Sequence, residues 1–90
     1  MPARLPLAIE SLRLERNGAI RLAFSVPMAG SVRCVILDVA GRRVLDRDLG
    51  AFEAGHQLAR VADARLSPGV YVATIAQGGR RASEKAVIVR

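Results

Sequence analysis

Two side chains could act as nucleophile and base, Cys34 and His56, and three carboxylates, Asp46, Asp48 and Glu53, stand close enough in the chain to suggest a cation site. None of these groups has the company its chemistry requires. Cys34 sits inside Val32-Arg33-Cys34-Val35-Ile36-Leu37, on a different expected strand from His56, where it reads as a small buried apolar residue. A reactive thiol needs an electropositive, partly exposed setting, and the adjacent Arg33 points to the opposite face of a strand. One histidine and one cysteine cannot supply a tetrahedral zinc set. Calcium takes six or more oxygens, whereas the three carboxylates are interleaved with Arg47 and read as a solvated loop. No serine stands in a nucleophile turn with His and Asp partners. The glycines occur singly or as the Gly78-Gly79 pair, so no phosphate-cradling loop is present. His56, beside Gly55, reads as a strand-edge residue. The expectation is a non-enzyme with no cofactor and no metal.

The formal net charge is +6 over 90 residues, and all basic residues but Lys85 are arginine. Such a balance is compatible with a polyanionic partner. Arg42-Arg43 and Arg80-Arg81, however, flank expected hairpin turns, where solvated charge is ordinary. Single-strand binders interleave aromatics with basic residues, and here the aromatics are only Phe24, Phe52 and Tyr71. No nucleic-acid partner is expected. A lone cysteine excludes an internal disulfide. No apolar run approaches the ~18 residues of a membrane span, and the opening residues 1–8 are too short for a signal peptide. No membrane insertion is expected, and the chain is either cytosolic or the C-terminal part of a longer exported protein.

The elements that would position any site read as strands, because apolar residues alternate with a period of two. Leu12 and Leu14 alternate with Arg13 and Glu15, and Asn17-Gly18 follows as a hairpin signal. In 19–26, Ile20, Leu22, Phe24 and Val26 share one face, and Pro27 ends the strand. In 31–39, Val32, Cys34 and Ile36 share a face while Val35 and Leu37 load the other, as in a central strand covered on both sides. Asp38-Val39-Ala40-Gly41 has the residues of a type I turn followed by a glycine bulge. The returning strand carries Val44 and Leu45, then fades into Asp46-Arg47-Asp48. Residues 56–61 form a short strand whose faces are ambiguous, and 62–66 could hold a helical turn. Pro68-Gly69 reads as a type II turn that launches 70–77, and Gly78-Gly79 turns the chain into a last strand, 80–89. Seven strands with frequent turns predict an all-β sandwich of one domain, 1–90, with residues 1–8 as an extended lead-in.

Several segments, in order, resemble one family. Residues 19–27 resemble its IRFSLP strand, and 32–44, containing Asp38-Val39-Ala40-Gly41-Arg42-Arg43-Val44, resemble its YDVAGRRV hairpin. Residues 55–71 keep the spacing from its AGxH strand to its LxxGVY turn, and Lys85-Ala86-Val87-Ile88-Val89 resembles its closing strand. The family is the C-terminal sorting domain of type IX secretion cargo, together with the related Ig-like domain of the flagellar hook-capping protein.

The resemblance implies a seven-stranded antiparallel Ig-like (fibronectin III-like) β-sandwich at the C-terminus of an exported bacterial protein, with a cargo domain preceding these residues. It implies recognition by an outer-membrane translocon and removal by a cell-surface sortase that links the cargo to anionic lipopolysaccharide. Localisation would be extracellular or at the cell surface, by way of the periplasm. The recognition residues it implies are Pro68, Gly69, Tyr71, Lys85 and Arg90. Each also has a structural reading: Pro68-Gly69 as a good turn, Tyr71 as a tyrosine corner whose hydroxyl reaches a loop backbone, and Lys85 as a solvated strand residue. The alternative function is a structural or assembly module of an adhesin-like or hook-cap-like protein, pairing with other copies of itself through edge strands.

Overall fold

A computed structural model describes residues 5–14, 19–62 and 66–88. Seven strands are present: β1 (Ala8–Leu14), β2 (Ile20–Val26), β3 (Gly30–Leu37), β4 (Arg43–Phe52), β5 (Gly55–Ala62), β6 (Gly69–Gln77) and β7 (Arg80–Ile88). They form two antiparallel sheets, β1-β2-β5 and β4-β3-β6-β7. This is the all-β sandwich that the alternation predicts, with the Ig-like, fibronectin III-like architecture that the resemblance implies.

The core lies between the sheets and is built from the alternating faces. Ile20, Leu22, Phe24 and Val26 of β2 face Val32, Cys34 and Ile36 of β3 and Ala73 and Ile75 of β6, all fully buried. Phe24 meets Phe52, at the end of β4, edge-to-face with centroids 5.1 Å apart, so one aromatic pair ties the sheets at one end. On the β4–β5 side, Arg47 Nη1 donates to the carbonyl of Val61 at 3.1 Å and closes the flank. In β5, Val61 is buried and Gln57 and Ala59 are half-buried, whereas His56, Leu58 and Arg60 face solvent. That settles which of its two faces turns inward.

The turns follow their residues. Gly41 N donates to the Asp38 carbonyl at 3.0 Å, and Gly41 takes φ 82°, the expected type I turn with a left-handed glycine. Asp38 Oδ1 accepts from the amides of Ala40 and Arg42, and Oδ2 accepts from Arg42 Nε. Gly78 and Gly79 both have positive φ, as a two-residue hairpin requires. The Asn17-Gly18 turn lies outside the described residues, as do 63–65 of the possible helical turn. β1 and β2 nonetheless pair, with Leu14 opposite Ile20.

Three expectations are corrected. The chain does not fade after Leu45: β4 continues through Asp46, Arg47 and Asp48 to Phe52. Asp46 is held there by both prongs of the Arg33 guanidinium, at 2.7 and 2.6 Å, and by Arg43 at 3.1 Å. An edge strand needs little apolar content, so cross-strand ion pairs let a charged segment remain in the sheet. Second, β3 is central within its sheet but not covered on both sides, since Val35 and Leu37 are only half-buried on its outer face beside arginine side chains. Third, Pro68-Gly69 is not a type II turn, because Gly69 has φ 157°, far from the ~80° that turn demands, and already opens β6.

Two predictions follow from this packing. Phe24→Ala empties the centre of a thin core and is expected to cost about 3–5 kcal/mol by urea titration, a large share of the roughly 5–13 kcal/mol a chain of this size holds. Asp38 is held below the ordinary carboxylate range chiefly by the Arg42 amide, and Asp46 chiefly by its hydrogen bond from Arg33. Lowered native values mean that their stabilisation is full above about pH 4 and is lost as pH falls through those values. The urea midpoint should hold from about pH 7 to pH 5 and fall as pH drops from about 4 to 2, and the Asp38→Asn/Asp46→Asn pair should flatten that drop.

Candidate recognition surface

β6 and β7 pair along their whole length, from Gln77 opposite Arg80 to Gly69 opposite Ile88. Alternation fixes which side each residue faces. Tyr71 and Ala73 of β6 point into the core, while Val70 and Val72 point outward. On β7, Ala82 and Ile88 contribute to the core, while Arg81, Ser83, Lys85 and Val87 are exposed on the outer side. Thr74 and Ser83 hydroxyls hydrogen-bond at 2.9 Å across the pair on that side.

The four described residues expected to act in recognition, Pro68, Gly69, Tyr71 and Lys85, therefore do not form one patch. Tyr71 is only 7% exposed, and its hydroxyl donates to the Ser67 carbonyl at 2.6 Å. This is the tyrosine-corner reading: the ring fills the core and the hydroxyl holds the Ser67-Pro68-Gly69 approach to β6. Pro68 is exposed in the bend, and Gly69 is half-buried at the strand's first position. Lys85 lies opposite Val72, on the other face of the sheet from Tyr71. Arg90 lies outside the described residues.

β7 is the edge of its sheet. In a two-residue hairpin the flanking residues, here Gln77 and Arg80, form a hydrogen-bonded pair. Pairs alternate from there, so the backbone groups of Arg81, Ser83, Lys85 and Val87 point away from β6. Among the described residues these groups have no backbone partner. The β1 edge approaches from the other sheet, leaving a cleft of about 430 Å³ lined by Ile9, Leu12, Ala73 and residues 84–87 of β7. Lys85 thus stands at the rim between this cleft and the outer face.

The groups first examined for chemistry lie elsewhere. Cys34 is fully buried, and burial with the nearby Asp46 charge pushes its thiol up to about 11, which keeps it protonated and inert at neutral pH. His56 Nδ1 meets Glu10 Oε2 at 2.8 Å on the surface of the smaller sheet. Among the described residues, no three of His, Cys, Asp and Glu are grouped to hold a metal. The outer-face partners of Lys85, namely Arg81, Val72 and Val87, were missed in the sequence reading. Arg81 was counted as turn charge, although its spacing of four from Lys85 already placed both on one strand face.

The family model described as secretion system C-terminal sorting domain matches residues 16–89. A search of the curated proteins finds no match.

The split between inside and outside gives a mutational signature. Tyr71→Phe removes the bond to Ser67 and is expected to cost about 0.5–1.5 kcal/mol, whereas Lys85→Ala should stay within about 0.5 kcal/mol of the parent in denaturant titration. Equal losses at the two positions would contradict their assignment to opposite faces.

Proposed function

The chain belongs to the family of secretion system C-terminal sorting domains, the sorting modules of type IX secretion, and we propose that it serves as the non-catalytic address by which an exported protein is recognised and anchored at the cell surface. The observation that carries this reading is the family match across residues 16–89. The module's work is binding. An outer-membrane translocon reads the β6–β7 end of the sandwich, and a cell-surface sortase then exchanges the module for anionic lipopolysaccharide.

Within this reading the five residues divide their labour. Tyr71, Pro68 and Gly69 set the corner from which β6 starts, and so fix where β7 lies. Lys85 supplies an exposed charge on that last strand, and the sequence carries a second cation at Arg90. A translocon would meet Lys85 and the free β7 edge without displacing the core.

The rival role, assembly through edge strands, finds less support. β4 carries two register shifts against β3, and its edge bears Arg43, Asp46, Arg47 and Asp48. β1 is shifted around Glu10, and β7 carries Arg80, Arg81, Glu84 and Lys85. Bulges and edge charges are the devices that keep sheets from pairing edge to edge. Sedimentation of the isolated chain should give a monomer, and a concentration-dependent dimer would favour the assembly role.

The sorting role is tested by export. The 90 residues are fused behind a signal-peptide-bearing reporter in a bacterium with a working type IX system. Reporter carrying the module is expected at the cell surface, and reporter without it in the periplasm. A folded, module-bearing reporter retained in the periplasm would contradict the proposal.

A further inference from the structure

The described strands leave four sheet edges, and the four are not alike. β1 and β5 border the smaller sheet, and each meets β2 with a register shift. β4 meets β3 with two shifts. β7 instead pairs with β6 without a shift from Arg80 to Ile88. Bulges spoil an edge for further pairing, and this edge lacks them. The outward amides and carbonyls of Arg81, Ser83, Lys85 and Val87 therefore recur at every second residue, as an unbroken half-ladder.

The side chains beside that half-ladder divide by face. Ala82, Glu84 and Ala86 are on the inner side, and Arg81, Ser83, Lys85 and Val87 on the outer. The alanines leave room, and beside Ala86 the cleft of about 430 Å³ opens over Ile9, Leu12 and Ala73. A strand laid along β7 sends every second side chain toward that cleft. Among the described residues Arg81, Glu84 and Lys85 form no ion pair, so their charges are left to select the strand. A second copy of β7 fits badly. Antiparallel registers centred on Ser83, Glu84 and Lys85 set Arg81 against Lys85, Glu84 against Glu84 and Lys85 against Lys85, and like charges directly opposite destabilise a pair.

We propose that β7 is the acceptor for an added strand. An extended segment of a partner protein pairs antiparallel with residues 81–87, with carboxylates opposite Arg81 and Lys85, a cation opposite Glu84, and an aliphatic side chain opposite Ala86, inside the cleft. The ladder hydrogen bonds hold the segment, and the alternating side chains choose it. The proposal rests on the sorting reading in one respect, that the segment belongs to the export machinery.

The test uses the isotope-labelled full chain and capped peptides, read by backbone amide shifts and hydrogen exchange. The probe is Thr-Leu-Glu-Lys-Thr-Val-Glu, whose leucine stands opposite Ala86 and whose first glutamate stands opposite Lys85. One control carries N-methyl groups on the first glutamate and second threonine, whose amides face β7. The other carries them on the lysine and valine, whose amides face away. Expected are saturable shifts with slowed exchange at Ser83, Lys85 and Val87, about ten-fold weaker binding of the first control, and binding of the second within about three-fold of the probe. Lys85→Glu should weaken the probe about five-fold, and a probe with lysine in place of its first glutamate should recover that loss. Ala86→Leu, which fills the cleft, should weaken it about ten-fold, and the N-methyl pair decides the question without any variant should Ala86→Leu disturb folding. Absence of saturable shifts, equal binding of the two controls, or protection centred on β1 or β4 would overturn the proposal. Protection of Ser83, Lys85 and Val87 that grows with the chain's own concentration, without probe, would assign the edge to a second copy and overturn it too. Probe binding by a module that fails to export would remove the sorting reading alone, and export by a module that does not bind the probe would remove the added strand alone.

Discussion

Side chains on a strand alternate between two faces, and in β6 and β7 that alternation decides what each residue can do. Tyr71 is even with the core and Lys85 is odd to it, so the two can never share a surface while the strands hold their register. The register is held by Gly78-Gly79 at one end and by the Tyr71 corner at the other. A one-residue slip of β7 would turn Lys85 inward and Ile88 outward, and the same slip of β6 would turn Tyr71 out of the core, which is why the pairing is strongly specified. A motif that mixes the two kinds of residue therefore encodes a strand and its presentation together.

The rest of the sandwich serves that presentation. A chain of this length has little apolar surface to bury, and aromatics are scarce, so the core depends on aliphatic side chains packed from both sheets. The Phe24–Phe52 contact and the Arg47 bond to Val61 tie the sheets on different sides of that core. The buried polar side chains bond carbonyls distant in the chain: Ser25 Oγ donates to the Pro6 carbonyl, and Gln77 Nε2 donates to the Met28 carbonyl. Among the described residues the Gln77 Oε1 atom has no hydrogen-bond partner, in the layer where Gly30 passes close to the same side chain. Chemistry has been kept out of this interior, since its single thiol is raised and shielded. On β4 the Asp46 carboxylate is engaged by Arg33 and Arg43, whereas β7 carries three cations and the single acid Glu84.

Much of this was readable from the residues because strand alternation survives without context. Ile20-Leu22-Phe24-Val26 and Val32-Cys34-Ile36 have one apolar face each, and the structure buries those faces. Turn chemistry was legible where glycine has no substitute, at Gly41 and at Gly78-Gly79. It failed at Pro68-Gly69, because the local type II preference lost to a side-chain bond from Tyr71 that only the folded strand brings within reach. β4 was cut short because the pairing of Asp46 with Arg33 spans two strands and leaves no local pattern. The faces of β5 were undecidable for a related reason: Leu58 points to solvent while Gln57 turns partly inward, where its Nε2 donates to the Glu53 carbonyl. The candidate surface was half legible. Lys85 came from a family likeness, Arg81 and Val87 share its strand face by alternation alone, and only Val72 on the neighbouring strand needed the register.

The central claim is that Tyr71 acts through the fold and Lys85 through contact. The most direct measurement sets surface delivery of a reporter against the measured unfolding stability of the same variants, a graded series at Tyr71 and a second series at Lys85. If the claim holds, delivery by the Tyr71 variants tracks stability, and the Lys85 variants lose delivery at unchanged stability. Lys85 variants that deliver as well as the parent, or Tyr71 variants that lose delivery while fully stable, would contradict it.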